Sequence, residues 1–224
     1  MIEYKVLADD PQKGLVVQGN FVPGSIPVNI PHDNPKRNPY ISLFLNLRDI
    51  EAGIDYLQCI SLNNHPRINE GLFISALALF AKCFGNSKAR ISLKRAAFKK
   101  RFPQFAKLFD EYISWRNRHF IHDDGLMTSA AAFLLVSPNE YSDVFGGPPS
   151  VVWRTKPINY IEESRQLENL LQVVWGYIID DIDKLGDSIG EEYHRYSREQ
   201  LLAFGKPELQ LISTRRNNDG QAKI

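Results

Sequence analysis

Residues 69–84 read NEGLFISALALFAKCF, a run that is apolar nearly all round and stops at Gly85. A helix of that kind has no wet face to offer, so it belongs in the centre of a bundle, covered by its neighbours. Those neighbours are legible on both sides. Leu43, Leu47, Ile50, Ile54 and Leu57 recur at spacings of 4, 3, 4 and 3, one apolar stripe along a helix. Downstream, Pro103 is well placed at a helix start, and FAKLFDEYISWRNRHFIH runs on to Gly125 as a stop. A last long helix is predicted from about residue 161 to 189, with Leu167, Leu170, Leu171, Val174, Ile178, Ile182, Leu185 and Ile189 as its buried stripe. Four substantial helices joined by short links predict a mainly α fold, an up-and-down four-helix bundle.

The rest of the chain is fitted around that bundle. Residues 1–39 are rich in Pro, Gly and Asn, and five prolines between Pro23 and Pro39 argue for an irregular arm with short strands. Ala130 to Val136 and Val151 to Arg154 are β-prone runs separated by SPNEYSDVFGGPPS. They predict a small β-hairpin inserted at about 130–155 between the third and fourth helices. The bundle then occupies 40–204, and 205–224, ending in TRRNNDGQAKI, reads as a weakly ordered tail. With 224 residues, 43% hydrophobic and 24% charged, the chain has enough apolar material for one sizeable core.

No run approaches the roughly 20 apolar residues of a membrane span, and MIEYKVLADD lacks an apolar core of signal-peptide length. The expectation is a cytoplasmic chain with no membrane partner. Cys59 and Cys83 both lie in apolar, helix-like segments, which predicts buried reduced thiols rather than a disulfide. The net charge of +1 conceals an asymmetry. Between Glu70 and Asp110 there is no acid, while Lys82, Lys88, Arg90, Lys94, Arg95, Lys99, Lys100, Arg101 and Lys107 fall in that interval. Asp180, Asp181, Asp183 and Asp187 crowd together later. A one-signed block can attract a polyanion such as RNA, or can be a solvated face balanced by the acidic helix; composition leaves both open.

One stretch concentrates polar chemistry: WRNRHFIHDDG, residues 115–125. Arg116 and His119 are three apart and Arg118 and His122 four apart, hence neighbours on a helix. Arg116 and His122 are only loosely co-facial, with about 9 Å of rise between them. Spacing alone is met by a cationic helix end that answers the helix dipole, with Asp123 and Asp124 as turn residues. A metal site is the second reading, but two histidines three apart followed by two acids match no standard zinc pattern, and the flanking arginines repel a divalent cation. No metal and no other cofactor is expected.

The run from Arg116 to His122 resembles the signature of the HEPN superfamily: an arginine, a polar residue at once after it (here Asn117), and a histidine a few residues on. FISALALFAKCFG is similar to the apolar second helix of bacterial HEPN-like proteins, and the resemblance spans roughly 40–190. It implies a metal-independent endoribonuclease acting as a homodimer, with toxin–antitoxin or antiphage roles and a regulatory or antitoxin partner. It also implies catalytic parts for Arg116, Asn117 and His122, with Arg118 and His119 as secondary candidates for RNA backbone binding or dimer packing. The charge of the basic block, with Lys94, Arg95, Lys99, Lys100 and Arg101, marks it as the expected RNA backbone contact. The residue types suit the chemistry. An imidazole with an ordinary pKa of about 6.5 can take the proton of an RNA 2′-hydroxyl, and a guanidinium offers a planar fork to the charge-gathering phosphate. The alternative carried by the same resemblance is a catalytically inactive RNA-binding or protein-interaction module.

Overall fold

The computed structural model describes residues 4–10, 14–19, 28–85, 90–118, 128–133, 150–155, 158–205 and 207, the strands and Arg118 by backbone alone. The protein is mainly helical. Its helices are α1 (Arg37–Gln58), α2 (Pro66–Cys83), α3 (Arg95–Arg101), α4 (Ala106–Arg118), α5 (Tyr160–Tyr193) and α6 (Arg198–Ala203). Strands β1 (Tyr4–Asp10) and β2 (Gly14–Gly19) pair antiparallel, with an irregularity between Val6 and Ala8. Strands β3 (Thr128–Phe133) and β4 (Ser150–Thr155) also pair antiparallel, Thr128 facing Thr155 and Phe133 facing Ser150. Among the described residues no helix is long and apolar enough to cross a membrane.

Local signals explain the helix ends. Pro66 opens α2, where its missing N–H costs nothing, and the Nδ1 of His65 accepts from the Arg67 amide at 3.3 Å. Ser197 and Gln200 cap α6 reciprocally, side chain to backbone in both directions. The short basic α3 owes its existence to Phe98, which is fully buried while Lys100 and Arg101 beside it remain exposed.

The chain divides into two compact units. One falls within Arg48–Gly85 and Leu93–Gly176, the other within Met1–Leu47, Asn86–Ser92 and Tyr177–Ile224. In the first, the core is aromatic. Phe109 packs 5.3 Å from Phe80, 4.8 Å from Phe84 at right angles, and 5.4 Å from Phe98. Phe73, Ala76 and Leu77 of α2 and Leu167, Leu170, Leu171 and Val174 of α5 are buried with them. Gly53 on α1 makes this possible, because a Cβ there would sit 2.8 Å from Leu171 Cδ2.

The other unit is tied by polar contacts around a smaller set of buried side chains. The Asn34 carboxamide donates to Glu192 Oε1 at 3.0 Å and to the Tyr193 hydroxyl at 2.9 Å, while its Oδ1 accepts from the Lys36 amide at 2.8 Å. Lys36 pairs with Glu192 at 3.0 Å. Buried Ser42 and Asn46 hold the Ile91 backbone, through Ser42 Oγ to the amide and Asn46 Nδ2 to the carbonyl.

Several expectations need amending. The basic stretch, in which the sequence predicted no helix, contains α3. Pro103 does begin a helical segment, but Pro103–Phe105 is a 3-10 turn and α4 starts at Ala106; the expected continuation beyond Arg118 to Gly125 lies outside the described residues. Cys83 is buried as expected, whereas Cys59, just past the end of α1 at Gln58, is exposed. Of the first apolar stripe, Leu47, Ile50 and Leu57 are buried and Leu43 and Ile54 are half-buried. The last helix extends four residues beyond Ile189 to Tyr193, and α6 follows it.

Candidate functional site

Helix α4 is amphipathic. Phe109, Tyr112 and Ile113 face inward, and the last turn delivers Trp115, Arg116 and Asn117 at the edge of an aromatic floor. Phe73 of α2 is the centre of that floor, 6.3 Å from Tyr112, 6.4 Å from Trp115 and 5.6 Å from Tyr160 at the start of α5. Tyr112 and Trp115 meet edge to face at 5.5 Å, the arrangement ring quadrupoles favour.

Next to Trp115, Arg116 is half-buried and Asn117 exposed. Arg116 Nη1 donates to Asn117 Oδ1 at 2.9 Å, and among the described residues the covered Nε has no partner. The side chain is thereby oriented by its neighbour while much of its donor fork stays unspent. An uncompensated covered donor is costly, which makes this guanidinium a good receptor for an oxyanion. Arg118 closes α4. His119 and His122, the imidazoles of the motif, lie outside the described residues, as do Asp123 and Asp124.

Two phenols border the floor, Tyr112 buried and Tyr160 half-buried. Tyr112 donates to the Glu163 carboxylate at 3.1 Å, and burial, reinforced by the negative charge of Glu163, pushes its pKa far above the ordinary phenol range. Tyr160 is pushed up to about 12, first by burial and then by the charge and hydrogen bond of Glu70. Both phenols therefore stay protonated at neutral pH, as donors to carboxylates. Sequence reasoning did not single out Tyr112, Tyr160, Glu70 or Glu163. Their pairings join distant segments, and no local pattern signals them.

The basic residues divide by what they touch. Arg95 donates through Nε to the Phe84 carbonyl at 3.2 Å, answering the C-terminal end of α2. Lys99 is paired with Asp110 at 2.6 Å, pinning α3 to α4. Arg101 lies over the Phe102 ring at 5.3 Å. Lys94 and Lys100 are exposed, Lys94 at the N-cap of α3 without a capping bond. Lys99, Lys100 and Arg101 form the last turn of α3, where cations suit the negative end of the helix. Arg95 and Lys99, expected on an RNA surface, are thus engaged in holding α3.

A scan against protein-family models and searches of the curated proteins and of the solved structures found no match. Among the described residues no three His, Cys, Asp or Glu side chains gather where they could hold a metal ion.

Proposed function

We propose that the chain is an RNA-directed protein of the HEPN type, an endoribonuclease whose arginine–asparagine–histidine motif works from the end of α4. In this reading α1, α2, α4 and α5 are the four helices of the bundle, and β3 and β4 are an insertion. Two copies pair so that their motifs face one cleft, with toxin or antiphage roles as the biological setting. The observation that carries the reading is the Arg116–Asn117 pair: adjacent polar residues on one helical turn, bonded to each other at 2.9 Å, with the arginine half-buried and its covered Nε without a partner among the described residues.

In the proposed reaction His122 takes the 2′-hydroxyl proton and the 2′-oxygen attacks the adjacent phosphorus. The 5′-oxygen leaves with a proton, and the products are a cyclic 2′,3′-phosphate and a 5′-hydroxyl. Arg116 stabilises the charge gathering on the phosphoryl oxygens, and Asn117 keeps its fork directed. Lys94, Lys100 and Arg101, with Arg118 and His119 beyond them, supply contacts to the RNA backbone.

The test is incubation of the purified chain with total RNA in excess EDTA, with gel analysis and identification of product ends. Cleavage leaving cyclic 2′,3′-phosphates is the expected result. RNA bound but uncut would move the assignment to an inactive binding module. Equal cleavage of DNA would refute the 2′-hydroxyl mechanism.

A further inference from the structure

On the surface of the unit that contains the aromatic core, α1 and α5 leave a cleft of about 250 Å³ lined by Glu51, Ile54, Asp55, Gln172 and Trp175. That is below the range of drug-sized pockets, which starts at about 300 Å³, and of a size for one side chain. Its chemistry is selective. Trp175 donates through Nε1 to Glu51 Oε1 at 3.2 Å, which anchors the edge of the indole and leaves a half-buried ring in the cleft wall. Glu51 and Asp55 are one helical turn apart, so both carboxylates stand on the same face of α1. Among the described residues no basic side chain lines the cleft, neither acid is ion-paired, and Arg48, one turn earlier on α1, forms no bridge to Glu51.

An aromatic wall, an aliphatic residue and two uncompensated carboxylates complement one kind of guest. We infer that this cleft takes an arginine side chain from a partner polypeptide. Its methylenes would lie on Ile54 and its guanidinium between the Trp175 ring and the carboxylates. The planar, weakly hydrated guanidinium stacks on an indole and forks to a carboxylate, two interactions that the more compact ammonium makes less well. The site is independent of the ribonuclease reading, since it shares no residue with the α4 motif.

The test is a titration of the nitrogen-15-labelled full chain with acetyl-Gly-Arg-Gly-amide, following the Trp175 indole N–H, assigned by its loss in Trp175→Phe. A saturable shift with a Kd on the order of millimolar is expected, the strength of a few solvent-facing contacts. The same peptide with citrulline in place of arginine, equal in shape but neutral, should bind severalfold more weakly. The double variant Glu51→Gln/Asp55→Asn should lose the arginine preference, although the introduced carboxamide keeps an acceptor for the indole. A shift that does not saturate, an equal response to citrulline, or unchanged affinity in the double variant would overturn the proposal. So would putrescine binding as tightly as the arginine peptide, which would assign the cleft to a free amine.

Discussion

Around Phe109 the chain packs ring on ring, whereas around Asn34 it is tied by hydrogen bonds and one ion pair. The two regions therefore depend on their residues in different ways. Apolar burial is non-directional and scales with area, so a core of phenylalanines is strong and sensitive to volume. Polar ties are directional and exchange against water, so each adds little net stability yet fixes one geometry. The candidate site stands on the aromatic side of this contrast. Its neighbour Trp115 packs against Phe73, and Arg116 is oriented by one polar bond, to Asn117, which leaves donors of the guanidinium unspent among the described residues.

The sharpest way to break the contrast is Phe109→Ala. It opens a cavity among Phe80, Phe84 and Phe98 and should cost about 3–5 kcal/mol in urea unfolding. A loss below about 1 kcal/mol would mean that the rings do not form a close-packed core. Next comes Gly53→Val, which pushes a branched side chain against Leu171 where even a Cβ would come within 2.8 Å. Overpacking of this kind should cost about 1–3 kcal/mol, read as a lowered melting temperature. Asn34→Ala, in the polar region, leaves Glu192 and Tyr193 to find water and should cost about 1 kcal/mol. If it equalled Phe109→Ala, the polar ties would be as strong as the aromatic core and the distinction would fail.

A smaller effect depends on pH. The Tyr160 phenol has its folded pKa raised from 10.0 to about 12, so folding favours the protonated form. The sign follows: this contribution is fully present below pH 10 and is lost as pH rises through about 12. Tyr160→Phe should accordingly flatten the loss of stability between those values in an alkaline unfolding series. An unchanged alkaline slope would show that Tyr160 ionises as it does in the unfolded chain.

The same contrast explains what was legible in the sequence. The stripe containing Leu47, Ile50 and Leu57 and the inward face of α5 are periodic, and periodicity is local information. Helix α2, expected to be covered all round, instead leaves Gly71, Ser75, Ala78 and Lys82 exposed along one face, because glycine, serine and alanine there make the run look apolar while needing no cover. Helix α3 escaped because five of its seven residues are basic or alanine at positions facing water, and a single phenylalanine, Phe98, supplies its buried face. Arg116 and Asn117 were legible because they adjoin each other on one turn. The Tyr112–Glu163 and Tyr160–Glu70 pairs, and the donation of Trp175 to Glu51, join residues far apart in the chain; only the packing of helices reveals them. For Arg95 and Lys99 the sequence left two readings open, and the structure adds their contacts to the Phe84 carbonyl and to Asp110. A basic block looks alike whether its charges meet RNA, a helix end or a neighbouring aspartate.

The central claim is that Arg116 is a catalytic guanidinium at the end of α4, and single-turnover cleavage of a single-stranded RNA in EDTA tests it most directly. The comparison is between the wild-type chain, Arg116→Ala and Arg116→Lys, each shown by circular dichroism to be folded. Removing a donor aimed at the transition state should slow cleavage by about 10²–10³-fold, and lysine should restore little because it lacks the planar fork. His122→Ala should be at least as slow. Wild-type cleavage that persists unchanged in Arg116→Ala, or rescue to full rate by lysine, would contradict the account.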